Sequence, residues 1–373
     1  MSDTPAAFFR ANHIGSLLRP EELKAVYRAY EAGEVSEDER RAVEDRHIRR
    51  VVARQRDLGL RSITDGEYRR LIYFGHFCEA CSGFTMMESD AGLYQNDKAV
   101  KYLSPVITSK VRRLRPIAAH ELGFVSNLAL PGVTQKVTLP SPADMHAFRY
   151  REGVSDQPGI YPDLEEFFED IAAIYRQELA DLARAGARHV QLDDTTFTLF
   201  CDPKWRSRFE ERGYDAEAFI GRYADWINRC IEGRPAGLTV GLHQCRGNNQ
   251  GAWLFSGGYE AIAERLFATL NVDTFFLEYD SERAGGFEPL RFVPRDKTVV
   301  LGLVCSKTPV LEDADVLCRR IDAAAQYFAI ERMGVSPQCG FASTLPGNPL
   351  SEEHQWAKLS LVVDVARRTW GTA

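Results

Sequence analysis

"LTVGLHQCRGNN", residues 238–249, joins an apolar run to a polar turn. Strand side chains alternate between faces, so His243 and Cys245, two residues apart, point the same way at its end. Gly247-Asn248-Asn249 then reads as a loop. The same pattern, an apolar run ending on polar groups, recurs in "HVQLDD" (189–194), "TFFLEYD" (274–280), "VVLGLVC" (299–305) and "QCGFAS" (338–343). Upstream, "HIGS" (13–16), "SITDGE" (62–67) and "KVTLPSP" (136–142) read as further strands. Residues 163–186, 257–270 and 312–330 carry apolar groups at helical spacing between them. Strand–helix alternation every roughly 30 to 45 residues implies parallel sheet. About eight such units, without a glycine fingerprint for a dinucleotide, favour an α/β fold of the (β/α)₈ barrel type. Residues 83–130 break the rhythm and read as an inserted lid over the barrel mouth. No linker divides the chain, so residues 1–373 are read as one domain.

Composition narrows the function. The chain is 45% hydrophobic and 27% charged, values of a protein with a sizeable core. A net charge of -7 argues against a nucleic-acid surface, which needs a clustered basic patch. The N-terminus lacks the basic and apolar regions of a secretory signal, and no window is apolar enough for a membrane span. Eight cysteines are too few for a disulfide scaffold, and without an export signal they read as reduced thiols. A cytoplasmic enzyme is expected, and its oligomeric state stays open.

In a barrel the C-terminal strand ends converge on the active site. Gathered there are Ser16, Asp65, Glu67, Asp193, Asp194, His243, Cys245, Glu278 and Cys339. One imidazole, two thiols and one carboxylate, from His243, Cys245, Cys339 and Glu278, suit a tetrahedral Zn²⁺. The bland alternative is that each cysteine is a small buried hydrophobe and Glu278 a solvated end group. A rival cluster, "HFCEAC", holds His76, Cys78 and Cys81. It lacks a thioredoxin-like context and two further ligands, so two thiols near a helix start are the preferred reading.

"HIGSLLRP", "TDGEYRR", "VQLDD", "HQCRGNN", "FFLEYD" and "PQCGFAS", in that order, resemble the catalytic barrel of cobalamin-independent methionine synthase. The chain is closer still to its short relatives, which include methionine synthase-like proteins and epoxyalkane–coenzyme M transferases. The resemblance runs from about residue 9 to 371. It implies zinc held by His243, Cys245, Glu278 and Cys339. It also implies a substrate thiol activated by that zinc to attack an alkyl carbon, since coordination deprotonates a thiol that is otherwise mostly protonated at neutral pH. Ile14, Gly15 and Ser16 match the family's homocysteine turn, and Glu67 and Asp193 its amine-binding carboxylates. Asp193-Asp194 has the alternative of capping a helix. Arg246 has either an anionic substrate group or Glu278 or Asp280 as partner. The family's "IHSP" histidine is replaced here by "LVCSKTP", with Cys305 and Ser306 near that place. An acid for the leaving group must then come from Lys307, Asp194 or His76.

The reading that follows is methyl transfer to homocysteine, giving methionine, with methyltetrahydrofolate or a substitute as donor. Addition of a thiol such as coenzyme M to an epoxide is the alternative, and a binding protein with structural zinc is another. Neither nucleic acid nor membrane is expected as a partner.

Overall fold

The computed structural model describes residues 8–90, 101–128, 131–151 and 159–373. Among the described residues there are nine strands: β1 (Ser62–Ile63), β2 (Cys81–Asp90), β3 (Lys101–Arg113), β4 (Thr134–Pro140), β5 (His189–Asp194), β6 (Thr239–Gln244), β7 (Thr274–Glu278), β8 (Thr298–Val304) and β9 (Met333–Pro337). Seven form one parallel sheet in the order β1-β4-β5-β6-β7-β8-β9, which curls in the manner of a TIM-like barrel. The eighth position is taken by the N-terminal segment. Ala11 bridges Val335 of β9 in parallel, while Leu17 N donates to Gly66 O (3.0 Å) and Thr64 Oγ1 to Gly15 O (2.7 Å) beside β1.

"HIGS" is therefore not a regular strand, contrary to the sequence pattern. The carbonyls of His13, Ile14 and Gly15 are taken by side chains and that of Ser16 by the Phe341 amide, and Gly15 adopts φ +147°. The expected strand over 338–343 is also displaced: β9 ends at Pro337, and Cys339 stands in the loop that follows.

Helices form where the period predicts and stop where caps stop them. Leu164–Arg184 starts at Asp163, whose carboxylate accepts from Glu165 N, and buries Phe167, Phe168, Ile171 and Tyr175 against the sheet. Ala314–Ala324 starts at Asp313 in the same way. The stretch expected as one helix over 257–270 is split into a 3₁₀ turn, Tyr259–Ala261, and a helix, Ala263–Thr269. Among the described residues no helix is long and apolar enough to cross a membrane.

Two apolar regions result. The large one lies between sheet and helices. Inside the barrel, among the described residues, lies a small cluster of Ile14, Phe276 and Val300 with Phe8 packed on it, and polar groups such as Lys136, His189 and Gln191 are buried beside it. β2 and β3 pair antiparallel as a ribbon outside the sheet, inserted in the crossover from β1 to β4. Its β3 packs on helices Leu164–Arg184 and Pro142–Arg151. Within the segment read as an insertion, residues 91–100 and 129–130 lie outside the described residues.

Candidate functional site

Strand register assembles the site. β5 and β6 pair Asp193 with His243 and Asp194 with Gln244. Cys245 N then donates to Asp194 O (2.7 Å), which extends the ladder one residue further. His243, Cys245 and Asp193 thus share the inner face, and Asp194 and Gln244 face the helices. Cys339 reaches the same spot from the turn after β9, where Gln338 N bonds Val304 O (2.8 Å).

The potential ligand atoms of His243, Cys245 and Cys339 lie within 4.8 Å of one another, and all three residues are buried. The two sulfurs are 3.4 Å apart. Hydrogen bonding from Cys245, then from His243, and the charge of Lys307 hold the Cys339 thiol well below its usual range. Cys245 is pushed up in return, by its bond to Cys339 and by burial. Among the described residues, His243 has no nitrogen or oxygen partner for either ring nitrogen and is turned toward the Cys339 sulfur alone. A buried imidazole facing two touching sulfurs, one of them acidified, is the donor set a zinc ion takes. The residues fit the metal.

Glu278, the fourth expected ligand, ends β7 but is not one of the three residues whose ligand atoms lie within 4.8 Å of one another, and it lines no part of the cavity beside them. Its Oε2 accepts from Arg246 N (3.0 Å), its Oε1 pairs with Arg283, and Lys307 Nζ stands 3.9 Å away. Burial opposes ionisation of Glu278, but the charges of Lys307, Arg283 and Arg246 outweigh it and lower its pKa.

A cavity of about 50 Å³ opens on the cluster, lined among others by Ile14, Ser16, Glu67, Asp193 and Asn248. A larger hollow of about 870 Å³ lies at the opposite, N-terminal end of β6 and carries no such group of residues. In the small cavity, Glu67 Oε1 accepts from Thr138 Oγ1 (2.8 Å), while Oε2 is buried without a partner. The Glu67 backbone sits at φ +59°, an uncommon and strained region for a residue other than glycine. The loop is held there from three sides. Asp65 Oδ1 accepts from Glu67 N, Arg70 is clamped to Glu121, and the buried Arg19 guanidinium donates to the carbonyls of Glu67, Arg70, Ala342 and Thr344. Burial raises Asp193 to about 7, with His243 lowering it and Glu67 raising it.

Other expected residues lie elsewhere. Asp194 accepts from Phe197 N (3.0 Å) at the start of helix Thr196–Cys201 and lines no part of the cavity. The Arg246 guanidinium is buried over the Tyr259 ring, 4.6 Å from its centroid, and is also outside the cavity. His76 is buried, its pKa lowered by desolvation and by Arg70. Burial pushes the Cys78 thiol up and Cys81 to about 12, so neither is a nucleophile at neutral pH. Tyr73, Thr195, Asn248 and Ser343 also line the cavity and were not singled out from the sequence. Asn248 and Ser343 lie within quoted motifs, and Thr195 and Tyr73 come shortly after two others, in the loops that a barrel uses for its mouth.

Fold and cluster together define a parallel α/β barrel enzyme with a sulfur-rich centre at the C-terminal strand ends. Residues 9–368 match the catalytic-domain model of the cobalamin-independent synthases, and the chain belongs to that family of methionine synthase-like methyltransferases. It is similar to YxjH of Bacillus subtilis, an uncharacterised protein, at 40% identity over 97% of this chain and 95% of that one. It is similar to a methionine synthase of Pyrococcus abyssi at 26% identity, covering 88% of this chain and 84% of that one. A solved structure from Listeria monocytogenes, assigned provisionally to vitamin-B12-independent methionine synthase, superposes with a TM-score of 0.76 at 31% identity. That match covers 99% of each chain.

Proposed function

We propose that the chain transfers a methyl group to the thiol of homocysteine, forming methionine, with zinc held by His243, Cys245, Cys339 and Glu278. The sulfur–carbon bond forms and the bond from methyl to donor breaks, its electron pair staying on the donor atom, which takes up one proton as the thiol gives one up. Methyltetrahydrofolate or a substitute supplies the methyl group. When bound, the cation supplies thiol acidification, so that the substrate sulfur is a nucleophile at neutral pH.

The observation that carries this reading is the chemistry sharing one cavity with the cluster. Ile14 and Ser16 line the cavity, while Gly15 between them does not; the amides of all three donate to no protein acceptor among the described residues, and those of Ile14 and Ser16 would seat a carboxylate. Across from them stand Asp193 and the unpartnered Glu67 Oε2, which suit an ammonium. A sulfonate-bearing thiol has no ammonium to offer these carboxylates, so coenzyme M is the poorer fit. Arg246 keeps Glu278 in place through its backbone amide, and Arg283 and Lys307 balance the carboxylate's charge.

A zinc-edge absorption spectrum of the loaded protein, recorded with homocysteine and then with coenzyme M, tests the proposal. A new sulfur at the metal with homocysteine alone is expected. Absence of zinc uptake, or a response to coenzyme M alone, overturns it.

A further inference from the structure

Below the cavity floor, Lys136 of β4 projects into the barrel and is almost fully buried. Its ammonium donates to Asn12 Oδ1 (3.1 Å), to the His13 carbonyl and to Gln191 Oε1 (2.7 Å), and it lies 4.8 Å from the Phe276 ring centroid. Burial lowers its pKa to about 7, with Asp193 opposing. An ammonium donates and never accepts. Gln191 must therefore turn its oxygen toward Lys136, and its amide nitrogen is forced the other way. That nitrogen donates to the Ile14 carbonyl (2.6 Å) and to Asp193 Oδ1 (2.6 Å). The carbonyls of residues 13, 14 and 15 are thus all engaged, by Lys136, Gln191 and Thr64 in turn. The amides of Ile14 and Ser16, which line the cavity, are left over for a ligand.

We propose that Lys136 is the positioning residue of the amino-acid subsite: by fixing the sense of Gln191 it orients both the Asp193 carboxylate and the 14–16 turn, and so selects thiols that carry an α-amino-acid head. The inference rests on the homocysteine reading. With an apolar side chain at 136, Gln191 Oε1 loses its donor and is left buried and unsatisfied. The Gln191 side chain must then shift toward another donor, away from its bonds to the Ile14 carbonyl and the Asp193 carboxylate, and both ends of the cradle would loosen together. Among the described residues none of His243, Cys245 and Cys339 hydrogen-bonds Lys136 or Gln191, so the cluster is expected to keep its own thiol affinity.

The test is calorimetric titration of the zinc-loaded full-length protein with homocysteine and with 1-propanethiol, which lacks the amino-acid head. Lys136→Met is expected to weaken homocysteine by about 10- to 100-fold, the scale of one hydrogen bond to a charged group, with 1-propanethiol unchanged. Gln191→Met is expected to lose the same discrimination while Lys136 is still present, and it decides the matter if Lys136→Met does not fold. A folded variant that keeps wild-type affinity for homocysteine overturns the inference. So does equal weakening toward both thiols, the mark of a general structural role. Wild-type protein that takes up 1-propanethiol but ignores homocysteine instead removes the homocysteine reading, and the selectivity argument with it.

Discussion

Gly15→Ala probes the cradle where it is tightest. Gly15 adopts φ +147°, and a Cβ there would stand 2.7 Å from Glu67 Oε1 and 2.8 Å from Thr138 Cγ2. Ordinary contact begins at 3.4 Å, so the carboxylate oxygen must retreat by about 0.7 Å to reach van der Waals distance. It has little room to do so. Oε1 is tied to Thr138, and the Glu67 backbone already occupies a positive-φ conformation. Backbone strain of about 1–3 kcal/mol and overpacking of about 1–3 kcal/mol together give about 2–6 kcal/mol of destabilisation. Gly33→Ala is the internal control. Gly33 sits at φ +73° with nothing within 4 Å of the added carbon, so only the left-handed backbone penalty applies, about 1–2 kcal/mol. Urea unfolding of both variants measures the contrast. Calorimetry of Gly15→Ala with homocysteine measures the consequence for the site, about tenfold or more, given that a 1 Å misplacement can cost about 100-fold. Equal destabilisation by the two substitutions, with homocysteine affinity intact, would refute the placement of the turn against Glu67.

Three further outcomes are expected. Cys339→Ser removes a sulfur donor and should lower zinc affinity by more than the roughly 10–100-fold typical of residues that only orient ligands; competition with a chromogenic chelator reads this, and wild-type affinity in the variant would dismiss the cluster as a metal site. Burial, with a lesser push from Lys136, lowers His13 and His189 from 6.5 to about 3. Below pH 6.5 the unfolded chain therefore binds protons that the folded chain refuses, so stability falls as the pH drops toward 3. Each histidine contributes about 2 kcal/mol of loss at pH 5. His189→Phe should shrink the stability difference between pH 7.5 and 5 by that amount, and an unchanged difference would show that His189 is not held neutral. Thiol-reactive dyes on the native protein should label the half-buried Cys305 and Cys318 before Cys78 and Cys81; rapid alkylation of Cys78 or Cys81, located by peptide mapping, would contradict their burial.

The barrel was legible because its evidence is local. An apolar run needs only its own residues to declare a strand, and a capping aspartate such as Asp163 or Asp313 declares its helix. The His243 and Cys245 pair was legible for the same reason, since a spacing of two on a strand already fixes a shared face. Segments whose conformation is set by distant partners were not. "HIGS" looks like a strand, but Lys136, Gln191 and Thr64 take its carbonyls from three other elements, and one lysine at the start of "KVTLPSP" gave no hint of that. The helix over 257–270 breaks at Ile262, and no proline in the stretch announces it.

The two adjacent aspartates show how much one register decides. Sequence pattern alone gives Asp193 and Asp194 the same standing, each buried at a strand end, and the pKa of each is raised to about 7, chiefly by burial. Register separates them. Pairing Asp193 with His243 puts its carboxylate on the inner face, above Gln191 and within the cavity. Asp194 pairs with Gln244, turns toward the helices and caps Thr196–Cys201 through the Phe197 amide. A slip of one residue would exchange their roles, placing Asp194 in the cavity and leaving the Phe197 amide without its acceptor. What holds the register is the parallel ladder from His189 to Asp194, continued by Cys245 N on Asp194 O. The same backbone bonds that seat Cys245 therefore choose which carboxylate enters the cavity, and the His243–Cys245–Cys339 cluster and the Asp193 carboxylate beside it are two consequences of one strand pairing.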